Sequence, residues 1–149
     1  MSVGAFCNRE VVVTGPETGI VELAKLMRQF HVGDVVVVEE SNGLRKPVGI
    51  VTDRDLVVEV IAGEVDFAPL RARDVMGGHL LVAREKDSIW ETMKLMAAQG
   101  IRRVPVVDAH GTLAGILSLD DLLELLAEEL SMLAGVAGRG REREADGGV

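Results

Sequence analysis

Thr52 and Asp55 stand three residues apart just after Gly49-Ile50-Val51, and Ser118 and Asp121 are spaced the same way after Gly115-Ile116-Leu117. An ionised carboxylate offers acceptors to two adjacent hydroxyl donors. A Thr or Ser hydroxyl beside the unpaired N–H groups of a helix start suits a phosphate. Neither pair has an activated nucleophile with a paired base, and no Gly-rich phosphate loop accompanies them, so the aspartates read as binding groups rather than proton carriers. The same pattern before an apolar run is also a capping box, worth about 0.5–2 kcal/mol to a helix without any ligand. Both readings stand, and one residue can do both jobs.

Positioning these groups requires a strand, a turn and a helix start, twice over. In each copy the glycine and the two apolar residues read as a short buried strand. Earlier in the chain, Val11-Val12-Val13 reads as a strand ended by Thr14-Gly15-Pro16. The spacing of Ile20, Leu23, Ala24, Met27 and Phe30 predicts a helix with one apolar face. The unbroken run Val35 to Val38 suits the centre of a sheet, and Ser41-Asn42-Gly43 turns it back into Val48 to Val51 as a hairpin. A helix carrying Leu56, Val57, Val60 and Ile61 follows, with Gly63 as its stop. The cycle then restarts: strand Leu80 to Val82, helix Ser88 to Gln99 with Ile89, Met93 and Met96 inward, strand Val104 to Val107, turn at His110-Gly111.

Ile20 aligns with Ile89, Met27 with Met96 and Val38 with Val107 at an offset of 69, whereas Thr52 aligns with Ser118 at 66, so the first hairpin is three residues longer. At the offset of 69, Phe6-Cys7 falls on Val75-Met76, which gives each unit a short lead-in. The expected fold class is α/β (α+β), two β-α-β-β-α repeats packed with pseudo-twofold symmetry. The expected boundaries are 5–63 for the first repeat, 64–73 for a linker, 74–134 for the second repeat and 135–149 for a disordered tail. The last helix, about Asp120 to Leu133, holds too many leucines for one stripe and reads as an oligomer contact.

The 16 Lys+Arg against 24 Asp+Glu leave a net charge of -8, which argues against nucleic acid or an anionic membrane as the main partner. Cys7 is the single cysteine, so no intramolecular disulfide can form and a cytoplasmic setting is the simplest. It reads as a buried apolar residue. Met1 to Asn8 lacks the features of a signal peptide, and the apolar runs are far shorter than a membrane span needs. His31, His79 and His110 lack metal-ligand spacing, and no metal is expected.

Two β-α-β-β-α units, each ending Gly-apolar-apolar-Thr/Ser-x-x-Asp, resemble the tandem CBS (cystathionine-β-synthase-type) domain pair known as a Bateman module, over roughly residues 5 to 133. Arg102-Arg103-Val104-Pro105-Val106-Val107 adds to the likeness in the second repeat, whereas His31-Val32-Gly33-Asp34 departs from it in the first. The resemblance implies a stand-alone, non-enzymatic regulatory module. Its clefts would bind an adenosine-containing ligand (AMP, ADP, ATP or S-adenosylmethionine), with no cofactor required. Asp55 and Asp121 would hold the ribose hydroxyls, and Thr52 and Ser118 the ribose or phosphate. Arg102 and Arg103 are candidates for a polyphosphate, or alternatively a solvated strand start. Val35 and Val104 would sandwich the adenine. The two clefts would then be unequal. A homodimer and an unidentified downstream protein are the expected partners. The competing reading is a ligand-independent dimerisation module that docks on an enzyme or transporter.

Overall fold

A computed structural model describes residues 1–147. The chain divides into two compact units, the first spanning Met1–Leu117 and the second beginning at Ser118. In order the elements are α1 (Val3–Phe6), β1 (Val13–Thr14), α2 (Ile20–Phe30), β2 (Asp34–Ser41), β3 (Leu44–Thr52), α3 (Asp53–Asp55), α4 (Ala72–Val75), β4 (Ala83–Arg84), α5 (Ile89–Gln99), β5 (Arg103–Val107), β6 (Leu113–Ser118) and α6 (Leu119–Ala145). Two three-stranded sheets, β1-β2-β3 and β4-β5-β6, make this the mixed α+β repeat that the sequence predicts.

The valine run lies at the centre of its sheet, where Val35, Val36 and Val37 are all fully buried. Asn42 and Gly43, with φ of 52° and 77°, close the hairpin in the left-handed turn that matches strand twist. Val37 pairs with Gly49 but Val38 pairs with Pro47, so Val48 is an extra residue in a β-bulge. Pro47, which cannot donate to a ladder, is tolerated because β3 is an edge strand.

The outer parallel strands are shorter than expected. Only Val13 and Thr14 pair with β2, and only Ala83 and Arg84 pair with β5, so Leu80 to Val82 run outside the ladder. In α2, Ile20, Leu23 and Met27 face the core, while Ala24 and Phe30 are exposed at the edge of the apolar stripe. In α5 the inner face is Ile89, Thr92 and Met96, with Met93 half-buried. Thr92 is tolerated there because its hydroxyl donates to Ser88 O at 2.9 Å. The helix after Thr52 widens into a π-helical stretch, Leu56–Ile61. It buries Leu56 and Val60 but exposes Val57 and Ile61.

The two repeats exchange their lead-ins. Ser2 bridges to Ser88 and Arg71 bridges to Gly19, and at the offset of 69 these are the same contact seen twice. The N–H groups of Val3 and Gly4 donate to Asp87 O and Glu85 O at 2.8 and 2.7 Å; those of Ala72 and Arg73 donate to Thr18 O and Pro16 O at 2.8 and 3.0 Å. Each lead-in therefore completes the other repeat. Val75 and Met76 pack on the core of Leu23, Met27, Val35, Val51 and Leu56. Both lead-ins begin earlier than the sequence boundaries of 5 and 74, at Val3 and Ala72.

In the second unit, α6 starts at Ser118, whose Oγ accepts from the Asp121 N–H at 3.1 Å. The expected disordered tail from residue 135 is instead helix as far as Ala145. Residues 148–149 lie outside the described residues. Alanine, glutamate and arginine favour helix strongly enough to carry Gly135, Gly138 and Gly140, each of which costs about 1 kcal/mol relative to alanine. Leu123, Leu130, Met132, Leu133 and Val136 are exposed on this helix. Among the described residues no helix is long and apolar enough to cross a membrane.

Candidate ligand-binding cleft

The first unit contains a cleft of about 560 Å³ between its two repeats. The first repeat lines it with Ile50, Thr52, Asp53, Arg54 and Asp55, the end of β3 and the start of α3. The second lines it with Gly77, His79, Leu80 and Leu81 from its lead-in, and with Gly100 to Arg103 between α5 and β5. The arginines of the second repeat thus face the Thr-x-x-Asp of the first.

Thr52 and Asp55 form a complete reciprocal cap. The Thr52 N–H donates to Asp55 Oδ2 at 2.8 Å and the Asp55 N–H donates to Thr52 Oγ1 at 3.1 Å. The cap fixes the carboxylate on the first turn of the helix and engages Oδ2. Its partial burial keeps both side chains at the cleft wall rather than in the core. Ser118 and Asp121, in the second unit, repeat the hydroxyl half of this arrangement.

Val35 and Val104 do not line the cleft. Both are fully buried, because the central strands β2 and β5 are covered on both faces. The apolar walls are Ile50, Leu80, Leu81 and Ile101 instead. Leu80 and Leu81 were readable in the sequence only as a strand; freed from the ladder, they turn toward the cleft. Asp53, Arg54 and His79 also enter the lining, so the cleft carries charge of both signs.

Arg103 is held from outside the cleft. Its Nε donates to Asp34 Oδ1 at 2.8 Å, with 31% and 17% of the two side chains exposed. Burial pushes the Asp34 carboxyl up from its ordinary value of 3.8, against the attraction of Arg103 and with added repulsion from Asp53. A carboxyl raised by folding contributes stability that is complete below 3.8 and is lost as pH rises through its higher folded value. Urea midpoints of the wild type and Asp34→Asn should therefore shift in favour of the asparagine variant as pH rises upward from 3.8. A difference that does not change with pH would contradict this. Asp53 fits beside Gly33, where an added Cβ would stand 3.1 Å from its Oδ2 and where Gly33 O accepts the Asp53 N–H at 2.9 Å.

Cys7 is buried, and burial pushes its thiol up, away from thiolate reactivity. It meets Gly115 just as Met76 meets Gly49 in the other half.

The CBS domain family model matches residues 3–62 and 72–128. Protein MK0525 of Methanopyrus kandleri is 38% identical over 125 residues, 84% of this chain; the chain spans 62% of that relative's length. The solved structure of a CBS domain protein from Pyrobaculum aerophilum complexed with AMP superposes with a TM-score of 0.72 at 25% identity, covering 85% of this chain and 99% of that one. The CBS domain pair of protein MJ0100, in complex with 5′-methylthioadenosine and S-adenosyl-L-methionine, gives a TM-score of 0.74 at 22% identity, covering 87% and 98%, and supports the fold. With two matched domains and a two-repeat fold that agree along the chain, this protein belongs to the CBS domain family and carries a CBS domain pair.

Proposed function

We propose that the chain is a regulatory module that binds an adenosine-containing ligand in the cleft of its first unit and passes occupancy to a partner protein. The observation that carries this is the meeting of Thr52 and Asp55 from one repeat with Arg102 and Arg103 from the other. The Asp55 carboxylate suits a ribose diol, Arg102 and Arg103 suit phosphate oxygens, and Leu80, Leu81, Ile50 and Ile101 suit the faces of adenine. The AMP complex of the Pyrobaculum relative supports a nucleotide. A ligand spanning both repeats favours one relative arrangement of them, which is a population shift rather than catalysis. A thermal-shift panel of AMP, ADP, ATP and S-adenosylmethionine tests the proposal. At least one should raise the melting temperature in a saturable way, and a panel with no effect sinks it.

Signalling needs a surface, and the second unit supplies one. The exposed leucines 123, 130 and 133 recur at helical spacing along α6. The first half of that helix is acidic (Asp120, Asp121, Glu124, Glu128, Glu129), whereas its second half mixes Arg139, Arg141 and Arg143 with Glu142 and Glu144. An antiparallel pairing with a second copy covers the leucines and sets the acidic half of one helix against the half that holds the arginines, away from its own like charges. The module is thus a homodimer through α6. Leu130→Asp and Leu133→Asp should each convert the dimer to monomer in sedimentation velocity. A monomeric wild type, or dimeric variants, would refute the pairing.

A further inference from the structure

Asp34 and Arg103 are 69 residues apart, the offset that relates the two repeats, so they are the same position in each repeat, the first residue of the central strand. The position meets its own counterpart in the Asp34–Arg103 ion pair, as the equivalent lead-in contacts recur across the pseudo-twofold axis. An arginine in both places would set two guanidinium groups in contact. Two aspartates would do the same with carboxylates. An unlike pair is therefore the arrangement the axis favours, and it accounts for the departure of the first repeat from the Arg-Arg pattern of the second.

The pair is a poor choice for stability alone. Both side chains are largely withdrawn from water, and the raised Asp34 carboxyl shows that burial outweighs the attraction of Arg103. Its geometry suits another role. Asp34 does not line the cleft and Arg103 does, and the carboxylate takes the Nε edge of the guanidinium. A guanidinium gripped at one edge presents its remaining donors in a fixed fork, which suits bidentate recognition of a phosphate.

We propose that Asp34 is a positioning residue that aims the Arg103 guanidinium into the cleft, and that this pair sets how strongly the site prefers a phosphorylated ligand over the bare nucleoside. The proposal rests on the reading of the cleft as an adenosyl site. The ordering of Arg103 is done in advance by Asp34, so a phosphate meets an oriented fork. Arg102, an exposed side chain at the cleft, adds charge without such a hold.

Calorimetric titration of the full chain with AMP and with adenosine tests it. In the wild type AMP should bind more tightly than adenosine. Arg103→Ala should lower that preference by on the order of tenfold, and Asp34→Ala should lower it as far. Asp34→Asn, whose amide oxygen still accepts from Nε, should restore it. The double variant Asp34→Ala/Arg103→Ala should lose no more than either alone. The exchanged pair Asp34→Arg/Arg103→Asp separates packing from positioning: it should recover the melting temperature without recovering the AMP preference. In Asp34→Ala and Asp34→Asn, which change a residue outside the cleft lining, adenosine affinity should stay at the wild-type value. A wild-type preference that survives Asp34→Ala but not Arg103→Ala overturns the positioning role while leaving the adenosyl reading intact. If AMP and adenosine both fail to bind the wild type, the adenosyl reading falls and takes the proposal with it.

Discussion

Gly115→Ala is expected to destabilise the protein by about 1–3 kcal/mol, the usual cost of forcing a methyl group into a packed interior. A Cβ at this position would stand 2.7 Å from both Asn8 O and Cys7 Sγ. The backbone cannot retreat easily, because Asn8 and Ile116 exchange hydrogen bonds of 2.9 and 2.8 Å on either side of the contact. The signature glycine is thus the point at which the first lead-in crosses the second repeat's strand. Gly49 is its counterpart, pressed against Met76. Urea unfolding of Gly115→Ala checks this, with Gly138→Ala as the control in α6, where nothing lies within 4 Å of the added methyl and the substitution should stabilise the helix. A Gly115→Ala protein as stable as the wild type would contradict the lead-in exchange.

Asp55→Asn is expected to weaken binding of an adenosyl ligand by about tenfold or more while leaving the stability of the ligand-free protein close to wild type. Asparagine keeps an oxygen to accept the Thr52 N–H, now accepted by Asp55 Oδ2 at 2.8 Å, so the cap survives. What it loses is the negative charge that pairs with ribose hydroxyls. Asp55→Ala should lose both, with about 0.5–2 kcal/mol of stability gone as well. Comparing the two variants by urea unfolding and by AMP titration separates the cap from the ligand contact. If Asp55→Asn and Asp55→Ala behave alike in both measurements, Asp55 serves the helix alone.

Much of this arrangement is legible in the chain, because it is written twice. The offset of 69 locates both helices, both central strands and both lead-ins, and the change to 66 at Thr52 and Ser118 finds the longer first hairpin. Local pattern also finds Asn42-Gly43 and the caps at Thr52 and Ser118. What it misses depends on contacts between repeats. Val35 and Val104 read as available to an adenine ring, but both are fully buried in strands covered on both faces and neither reaches the wall of the ligand cleft. Leu80 and Leu81 read as a strand because β-propensity cannot show that the ladder holds only Ala83 and Arg84. The placing of Arg102 and Arg103 opposite Asp55, and of Asp34 against Arg103, follows from the lead-in exchange, and no local window contains it. In α6 the helix beyond Leu133 is sustained by intrinsic propensity and leaves no apolar period in the chain.

In the proposed function one ligand touches both repeats in the cleft of the first unit. The most direct measurement is an NMR titration of the isotope-labelled full chain with AMP, following the backbone amides. Thr52 to Asp55 and Gly100 to Arg103 should shift together, along a single saturating curve. Saturating AMP that leaves both segments unmoved, or that moves only one of them, would contradict it.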